Sequence, residues 1–499
     1  MKWLGIWLVV AGTSVVGLAQ TNALAIRQMS LEDCIQSALE KNLDLRIARF
    51  NPPMALADLQ SAYAGYDPNF SISGTHTFNM QGGGYVDPKT GTPIFQNTSD
   101  YNTFNSSVQN GLTPWGLNYN LLGNVSQAHT VGQSDPQSGG QALLQLRQPL
   151  LKNFWIDQTR LNIKVAKNRI KYSELGLKLN IMSVATTVEQ AYYDLIYARE
   201  NVTVQEKAVE LAMQLVAENK TRVTIGALAP LDEKQAEAQA ASSQATLIAA
   251  RSSLAIQANT LKQLITDNYA AWETIDLQPA ASLKAPVQVF DRQLSWSRGL
   301  TDRPDLLQAK LDIERQGVTI KYSYNQLFPE LDLVGSYGHN AGGGGITEFN
   351  DAFYQIGDGS RPTYSYGAQL TIPIGNIGAR ATYKKSKLAM EQYVVMLKKL
   401  EQTIMTTIDN DINQARSSYQ QVAATSAARE YATDALDAEQ KKLQSGKSTT
   451  YTVLQMQRDL TTARGNEIQA LATYNKALAQ LSLDEGSTLK RLSINVEVK

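Results

Sequence analysis

The chain has 499 residues, and its 46 Lys and Arg balance its 46 Asp and Glu. This balance excludes the basic field that nucleic-acid-binding proteins need. The single cysteine, Cys34, excludes an internal disulfide and any metal site built from several cysteines. The histidines lack Cys or carboxylate partners at ligand spacing, so we expect no metal ion and no cofactor: they are His76, His129 and His339.

The N-terminus has the pattern of a secretory signal. Lys2 precedes an apolar stretch, and small residues follow it at Ala19 and Ala25. We therefore predict a signal peptide over residues 1–25, cleaved after residue 19 or 25. Beyond it the chain has no run of ~18 apolar residues, so we expect no membrane-spanning helix.

The first half then alternates between helical and extended patterns. Ser30 is a candidate N-cap for a short helix over 30–49, and a second short helix reaches Ala64. Polar and apolar residues alternate from Phe70, which predicts a strand. Further strands are predicted at 103–112, 117–127 and 142–146. Long polar loops at 79–102 and 129–140 and a tight turn at 113–116 should separate the four strands.

A long proline-free segment follows. Apolar residues recur at every seventh position in the row Ile181, Val188, Leu195, Val202, Val209, Val216 and Val223. Such a row is typical of a coiled-coil seam. A helix from Lys152 to Val223 would be about 105 Å long at ~1.5 Å per residue. The turn from Thr224 to Pro230 should end it, and a helix over 231–267 should run back.

The second half repeats this order with fewer strands. Strands are predicted at 331–338 and 364–372, around a Gly-rich loop that includes Gly342–Gly345. A helix over 379–444, a turn at 445–448 and a helix over 449–482 complete a second hairpin. At an offset of 261 positions Leu39 aligns with Leu300 and Asp44 with Asp305. At an offset of 224 Pro149 aligns with Pro373, and at 220 Gly226 aligns with Gly446.

This order indicates an internal duplication. We predict a first repeat at 26–285, a second at 286–483 and a tail at 484–499. Six strands are too few for a closed barrel of useful bore, and open edges cannot face lipid. Several copies should therefore contribute to one barrel. The predicted fold class is an all-α coiled coil joined to a transmembrane antiparallel β-barrel that is shared between copies.

Paired segments in the two halves resemble those of the TolC-type outer-membrane efflux channels. No single segment is specific, but the duplicated order is. The segments are Leu39-x4-Asp44-Leu45 with Pro304-Asp305-Leu306, Asp67-Pro68-x-Phe70 with Phe328-Pro329-x-Leu331, Gln148-Pro149-Leu150 with Ile372-Pro373-Ile374, and Arg222-x3-Gly226-x-Leu228 with Leu443-x2-Gly446-x4-Tyr451-x-Val453-Leu454.

The resemblance implies a homotrimer in the outer membrane of a Gram-negative-type bacterium, with a periplasmic extension. It implies that the helices form a tunnel through the periplasm. It also implies a periplasmic adaptor and an inner-membrane RND or ABC-type transporter as partners, in efflux or in type I secretion. The first half's extra segment should add a hairpin to the barrel, for eighteen strands per trimer; the alternative is an extracellular loop. By resemblance, docking and gating involve the residues of the two hairpin turns: Arg222, Gly226, Leu228, Gly446, Tyr451, Thr452 and Gln455.

Two observations qualify this assignment. Many relatives carry acidic residues just past the second turn, where this chain has Thr452 and Gln455. The tip residues could also be simple turn chemistry. Other functions fit less well: Gly446-Lys447-Ser448-Thr449 lacks the first glycine of a phosphate-binding loop, and no catalytic constellation has a supporting context. We expect no enzyme; the alternative to a channel is an exported coiled-coil surface protein without a pore.

Overall fold

The structure is a computed structural model that describes residues 25–130, 135–226, 228–342 and 346–494. The predicted signal peptide lies outside these residues except for Ala25, and so do three glycines of the predicted Gly-rich loop. Among the described residues, no helix is long and apolar enough to cross a membrane.

Eight strands and eleven α-helices make up the described chain. The strands are β1 (Ala25–Met29), β2 (Asn69–Val86), β3 (Pro93–Leu112), β4 (Asn118–Thr130), β5 (Gln137–Pro149), β6 (Ile275–Pro279), β7 (Glu330–Ala341) and β8 (Pro362–Thr371). The helices are α1 (Leu31–Lys41), α2 (Leu43–Ala48), α3 (Asn51–Tyr63), α4 (Gln158–Thr224), α5 (Pro230–Ile265), α6 (Arg292–Asp302), α7 (Pro304–Asn325), α8 (Phe349–Gly357), α9 (Ile377–Gln444), α10 (Thr450–Asp484) and α11 (Thr488–Arg491).

The chain forms two compact units, each assembled from separate segments. The hairpin unit contains the segment ending at Leu45, Ser183–Phe290 and Asp411–Leu483, and the sheet unit contains the rest. Each unit takes segments from both predicted repeats. The repeat boundaries and the duplication itself stay predictions.

Local capping explains where the first helices begin and end. Ser30 accepts a hydrogen bond from the Asp33 amide while Asp33 bonds back to Ser30, a capping box that starts α1 as predicted. The predicted helix over 30–49 is divided at Asn42. The buried Asn42 amide donates to the Leu264 carbonyl (3.0 Å), and its side-chain oxygen accepts from the Leu45 amide (3.1 Å).

The sheet unit is built on one six-stranded antiparallel sheet in the order β2-β3-β4-β5-β7-β8. The predicted number of strands is confirmed, and the hairpin that the first half adds belongs to the sheet. The two long polar loops predicted at 79–102 and 129–140 are wrong in length, because the neighbouring strands extend into them. The β2–β3 ladder continues to the pair Val86 and Pro93, because backbone pairing tolerates the polar side chains that suggested a loop. Likewise β5 begins at Gln137, inside the second predicted loop.

The two faces of this sheet differ in polarity. One cross-strand row joins Leu121, Leu144, Tyr337 and Tyr364, and the next row on the opposite face joins Asn120, Gln145, Ser336 and Ser365. We call these the apolar face and the polar face. Most large side chains of the apolar face are exposed; they include Phe70, Ile72, Leu121, Leu144, Leu146, Leu333, Tyr337, Tyr364, Tyr366 and Leu370.

The β7–β8 connection contains a helix that the sequence analysis missed. Residues of the predicted Gly-rich loop lead into α8, whose Ala352 is fully buried. Ala352 packs with Val125 of β4 and Ala341 of β7, both of which lie on the apolar face. A nine-residue amphipathic helix next to a glycine run is too short to give a clear periodic signal.

The long helix α4 begins later than predicted. Asp157 caps it by accepting a hydrogen bond from the Arg160 amide (2.7 Å), so the helix starts at Gln158 and not at Lys152. The row of apolar residues at every seventh position of α4 is buried from Ile181 to Val202. Beyond that point the buried positions become Ala212, Leu215 and Asn219. These positions lie on a different side of α4, because Leu215 packs with residues of α9 and α10.

The partner of this row near Val202 is α5 of the same chain. Val202 packs with Leu247 and Ala250, and Val209 and Leu254 extend the contact. The hairpin unit also contains a parallel pair of short strands, β1 and β6, that no sequence pattern indicated. Tyr192 of α4 ties to this pair because its hydroxyl donates to the Met29 carbonyl (3.1 Å).

Candidate functional site

The first hairpin turn is closed by a left-handed glycine. Gly226 has a φ of +76°, and its amide donates to the Val223 carbonyl (2.9 Å) at the end of α4. Glycine reaches this conformation without strain and is therefore the common helix terminator. Pro230 then starts α5 in the first helical position, where a missing amide hydrogen costs nothing.

The second turn has the same construction. Gly446 has a φ of +72°, its amide donates to the Leu443 carbonyl (3.1 Å), and the Lys447 amide donates to the Lys442 carbonyl (2.9 Å). Thr449 caps α10 by accepting a hydrogen bond from the Thr452 amide (3.3 Å). The sequence analysis predicted both turns, and the structure places them at these glycines.

Glu439 anchors the second turn to the last residues of α9. Its carboxylate pairs with the Lys442 ammonium (2.8 Å) and accepts a hydrogen bond from the Ser448 hydroxyl. The ion pair with Lys442, followed by the hydrogen bond from Ser448, holds the pKa of Glu439 below its usual value. These two bonds tie Ser448 of the turn to the last residues of α9. The sequence analysis did not single out Glu439.

The predicted tip residues divide into exposed and inward-facing groups. Gly226, Gly446, Tyr451 and Gln455 are exposed, with 58% of Tyr451 accessible. Arg222, Leu228 and Thr452 are half-buried. Ile225 and Leu231, beside the first turn, are also exposed apolar residues. The turns thus present glycines and large apolar or aromatic groups at the surface.

An apolar cluster joins the two hairpins next to the turns. We call this set the tip cluster; it comprises Leu215, Leu436, Leu443, Val453, Leu454 and Leu460. Leu215 comes from α4, and the other members come from α9 and α10. Arg222 lines a 160 Å³ cavity beside Leu215, Leu443 and Val453. The structure therefore brings Arg222 of the first hairpin together with the start of α10.

Two further features of this region were not predicted. Asn219 is almost fully buried, and its amide donates to the Asp232 carbonyl (3.3 Å), which ties α4 to α5 just before the first turn. A buried amide in a helical row has no distinct sequence signal. A polar groove of 380 Å³ lies between α4, α5 and α10, and its lining includes Gln205, Gln239, Ser242 and Thr461.

The sequence also matches a known family model. The model of the outer membrane efflux protein family covers residues 34–266 and 297–484, which is most of the chain. The chain belongs to the outer membrane efflux protein family. The resemblance to TolC-type channels is therefore confirmed, as are its location in the outer membrane and its role in export.

Two curated relatives are similar over most of the chain. Outer membrane efflux protein BepC of Brucella suis is 24% identical over 349 residues, which cover 70% of this chain and 72% of that protein. Pyoverdine export outer membrane protein OpmQ of Pseudomonas aeruginosa is 24% identical over 313 residues, with 61% of each protein covered. Neither name describes a surface protein without a pore, so that alternative has no support.

Solved structures show the same fold. The outer-membrane channel OprN superposes with a TM-score of 0.68 at 16% identity, covering 92% of this chain and 90% of that one. The CmeC channel of Campylobacter jejuni gives a TM-score of 0.67 at 16% identity, covering 94% and 90%. The family is one of channels and not of enzymes, and its members work in multi-component efflux systems.

Proposed function

We propose that three copies of this chain form one passive export duct. The observation that carries this proposal is the open six-stranded sheet with one polar and one apolar face. Its first and last strands, β2 and β8, each have an edge with no strand partner within the described chain. An edge in lipid would leave backbone groups without hydrogen bonds, so a neighbouring copy must supply the missing strand.

Three such sheets give eighteen strands, because each chain contributes six. Barrels of 16–18 strands leave an aqueous channel, whereas six strands are fewer than any closed membrane barrel has. The strands added by the first half take part in this barrel and do not form a separate extracellular loop. Homotrimer and closed barrel are parts of the proposal.

The polarity of the sheet decides which face lines the duct. Hydroxyl pairs cross the strands of the polar face at Ser71–Ser107 (2.8 Å), Thr75–Thr103 (3.1 Å) and Ser336–Ser365 (2.8 Å). Such groups bind water, while the exposed leucine and tyrosine side chains of the apolar face suit hydrocarbon. The polar face should therefore line the lumen, and the apolar face should contact lipid.

The hairpin turns are the proposed docking and gating region. A periplasmic adaptor would contact exposed residues near the glycines, such as Tyr451 and Gln455. The half-buried Leu228 and Thr452 belong to the same proposed region, and Arg222 lies beside the tip cluster. An inner-membrane pump of the RND or ABC class would supply the energy, for efflux or for type I secretion. The duct itself performs no catalysis and opens when the contact between the two hairpins loosens.

Single-channel recording in a planar bilayer tests this function. The purified protein should insert and give discrete conductance steps, and variants that weaken the tip cluster should give larger or longer openings. The proposed duct would be wrong if the protein and its tip-cluster variants had a folded hairpin unit but never conducted.

A further inference from the structure

Helix α8 covers one end of the apolar face while the rest of that face stays open. The Phe353 ring packs edge-on against Phe104 of β3 at 5.7 Å and lies 5.6 Å from Phe349. The side of α8 that faces the sheet therefore carries Phe349, Ala352, Phe353 and Ile356, which follow helical spacing. Ala352 is fully buried, Phe349 and Ile356 are partly buried, and Phe353 stays 43% exposed. On the proposed function, this side of the sheet faces lipid.

A row of polar side chains crosses the apolar face at the same end. His76 Nδ1 lies 2.8 Å from the Asn102 side-chain oxygen, and the Asn102 amide donates to Gln127 (3.3 Å). The Gln127 amide and the Ser138 hydroxyl then donate to the Thr347 carbonyl (2.8 and 3.2 Å). We call this the boundary row. It runs from β2 to β5 and ends in the segment that leads into α8.

On β3 and β4, the boundary row lies where large apolar side chains of this face give way to polar ones. On β4, Leu121 and Val125 come before Gln127, and on β3, Phe104 is next to Asn102 on this face. On β2, the exposed Phe78 and Met80 continue beyond His76. On β7, the stretch from Leu331 to Ala341 has the ~9–11 residues that a tilted membrane strand needs, and Ala341 is the residue that α8 covers. Polar side chains that satisfy one another are expected at the edge of the hydrocarbon and not inside it.

The outward side of α8 is polar except for one aromatic residue. Asn350, Asp351 and Asp358 are exposed, and Tyr354 is 78% exposed. Two carboxylates exclude this side from hydrocarbon, and tyrosine is enriched where hydrocarbon meets headgroups. A helix with an apolar side on the lipid-facing wall and a polar, tyrosine-bearing side outward has the chemistry of an interfacial helix.

We infer that α8 and the boundary row mark the outer lipid–water interface, with α8 lying among the lipid headgroups of the outer leaflet. This inference rests on the proposed function, because it requires the apolar face to contact lipid. The partner of α8 is lipid, and Tyr354 is its anchor at headgroup depth.

Site-directed spin labelling of the whole protein in lipid vesicles tests this position. In a Cys34→Ala background, single variants Tyr354→Cys and Asn350→Cys place a label on the outward side of α8. Tyr366→Cys, on the apolar face, and Ser365→Cys, on the polar face, are adjacent exposed controls. Thr90→Cys labels the exposed β2–β3 turn. Oxygen and a water-soluble nickel complex report hydrocarbon and water, respectively.

The ratio of oxygen to nickel accessibility should be highest at Tyr366 and lowest at Thr90 and Ser365. Labels at Tyr354 and Asn350 should give intermediate ratios, at headgroup depth. Suppose that the label at Tyr366 is in hydrocarbon, but both α8 labels have the accessibility ratio of Thr90, or both have that of Tyr366. The interfacial position of α8 is then wrong, while the proposed duct is unaffected. If instead Tyr366 is in water, the lipid-facing assignment of the proposed function fails.

Discussion

Leu215 on α4 and Leu454 on α10 are buried in the same apolar cluster, and this contact joins the two helical hairpins beside their turns. The cluster also holds the second hairpin together, because Leu443 of α9 and Val453 of α10 belong to it. A contact between two otherwise separate elements is a place where a channel of this family could close or open. We propose that the tip cluster takes part in gating.

Replacing Leu454 by Ala should open the duct. The change removes buried side-chain volume from the tip cluster and should cost about 2–5 kcal/mol of packing free energy, part of which is the contact with Leu215 of the first hairpin. Single-channel recording should show larger or more frequent openings than in the unmodified protein. Thr462→Ala, at an exposed position of the same helix outside the predicted tip residues, is the matched control and should change nothing. If the Leu454→Ala variant and the control variant gave identical recordings, the tip cluster would have no role in gating.

Replacing Gly446 by Val should impair export while leaving the protein in the membrane. No atom lies within 4 Å of the position that a Cβ would take, so the effect comes from the backbone and not from a clash. Its φ of +72° costs a non-glycine residue about 1–2 kcal/mol, and a β-branched one more. Gly446→Asn should retain export because Asn tolerates this conformation. The same pair of changes applies at Gly226.

Dye accumulation in cells that depend on this channel measures export, and the amount of protein in isolated outer membranes measures folding. Val variants at both glycines that export as well as the unmodified protein would count against a role of the turns in docking or gating. They would support the interpretation of these residues as turn chemistry alone.

Replacing Val202 by Asp should unfold the α4–α5 hairpin. Val202 is 9% exposed and packs against Leu247 and Ala250, so the variant would bury a carboxylate without a partner. We expect a loss of about 3 kcal/mol or more, measured as a lower midpoint of thermal unfolding. Thr203→Asp adds the same charge at the adjacent exposed position and should leave the midpoint nearly unchanged. Equal midpoints for the two variants would show that α5 does not cover this row.

The buried thiol of Cys34 should make stability fall at high pH. Burial raises its pKa from 9.0 to about 12, so above pH 9 the thiol ionises in the unfolded chain but not in the folded one. The loss should be on the order of 2 kcal/mol by pH 10.5. Denaturant unfolding at pH 8 and pH 10.5 measures this loss of stability. Between these two pH values, the Cys34→Ala variant should lose about 2 kcal/mol less stability than the unmodified protein. Parallel pH dependence in the two proteins would place the thiol in contact with water.

Much of the fold could be predicted because its signals are local. The capping box at Ser30, the glycines at 226 and 446 and the alternation from Phe70 each depend on near neighbours in sequence. They gave the order of helices and strands and both hairpin turns. The assignment of these turns to docking came from family resemblance, and it stays a prediction.

The missed features depend on contacts between distant parts of the chain. The polar ends of β2 and β3 pair through their backbones, so their side chains gave no strand signal. The parallel pair β1 and β6 joins segments from opposite ends of the first predicted repeat. The tip cluster combines Leu215 with residues of the second hairpin, and helical spacing alone cannot show which partner a leucine will meet.

A density map of the purified protein in lipid nanodiscs, obtained by electron cryomicroscopy, tests the central claim most directly. We predict a threefold assembly in which eighteen strands surround a water-filled lumen, with the polar face inward and the row through Leu144 and Tyr337 against lipid. A map with a solid centre, or with the polar face of the sheet turned toward lipid, would contradict the export duct.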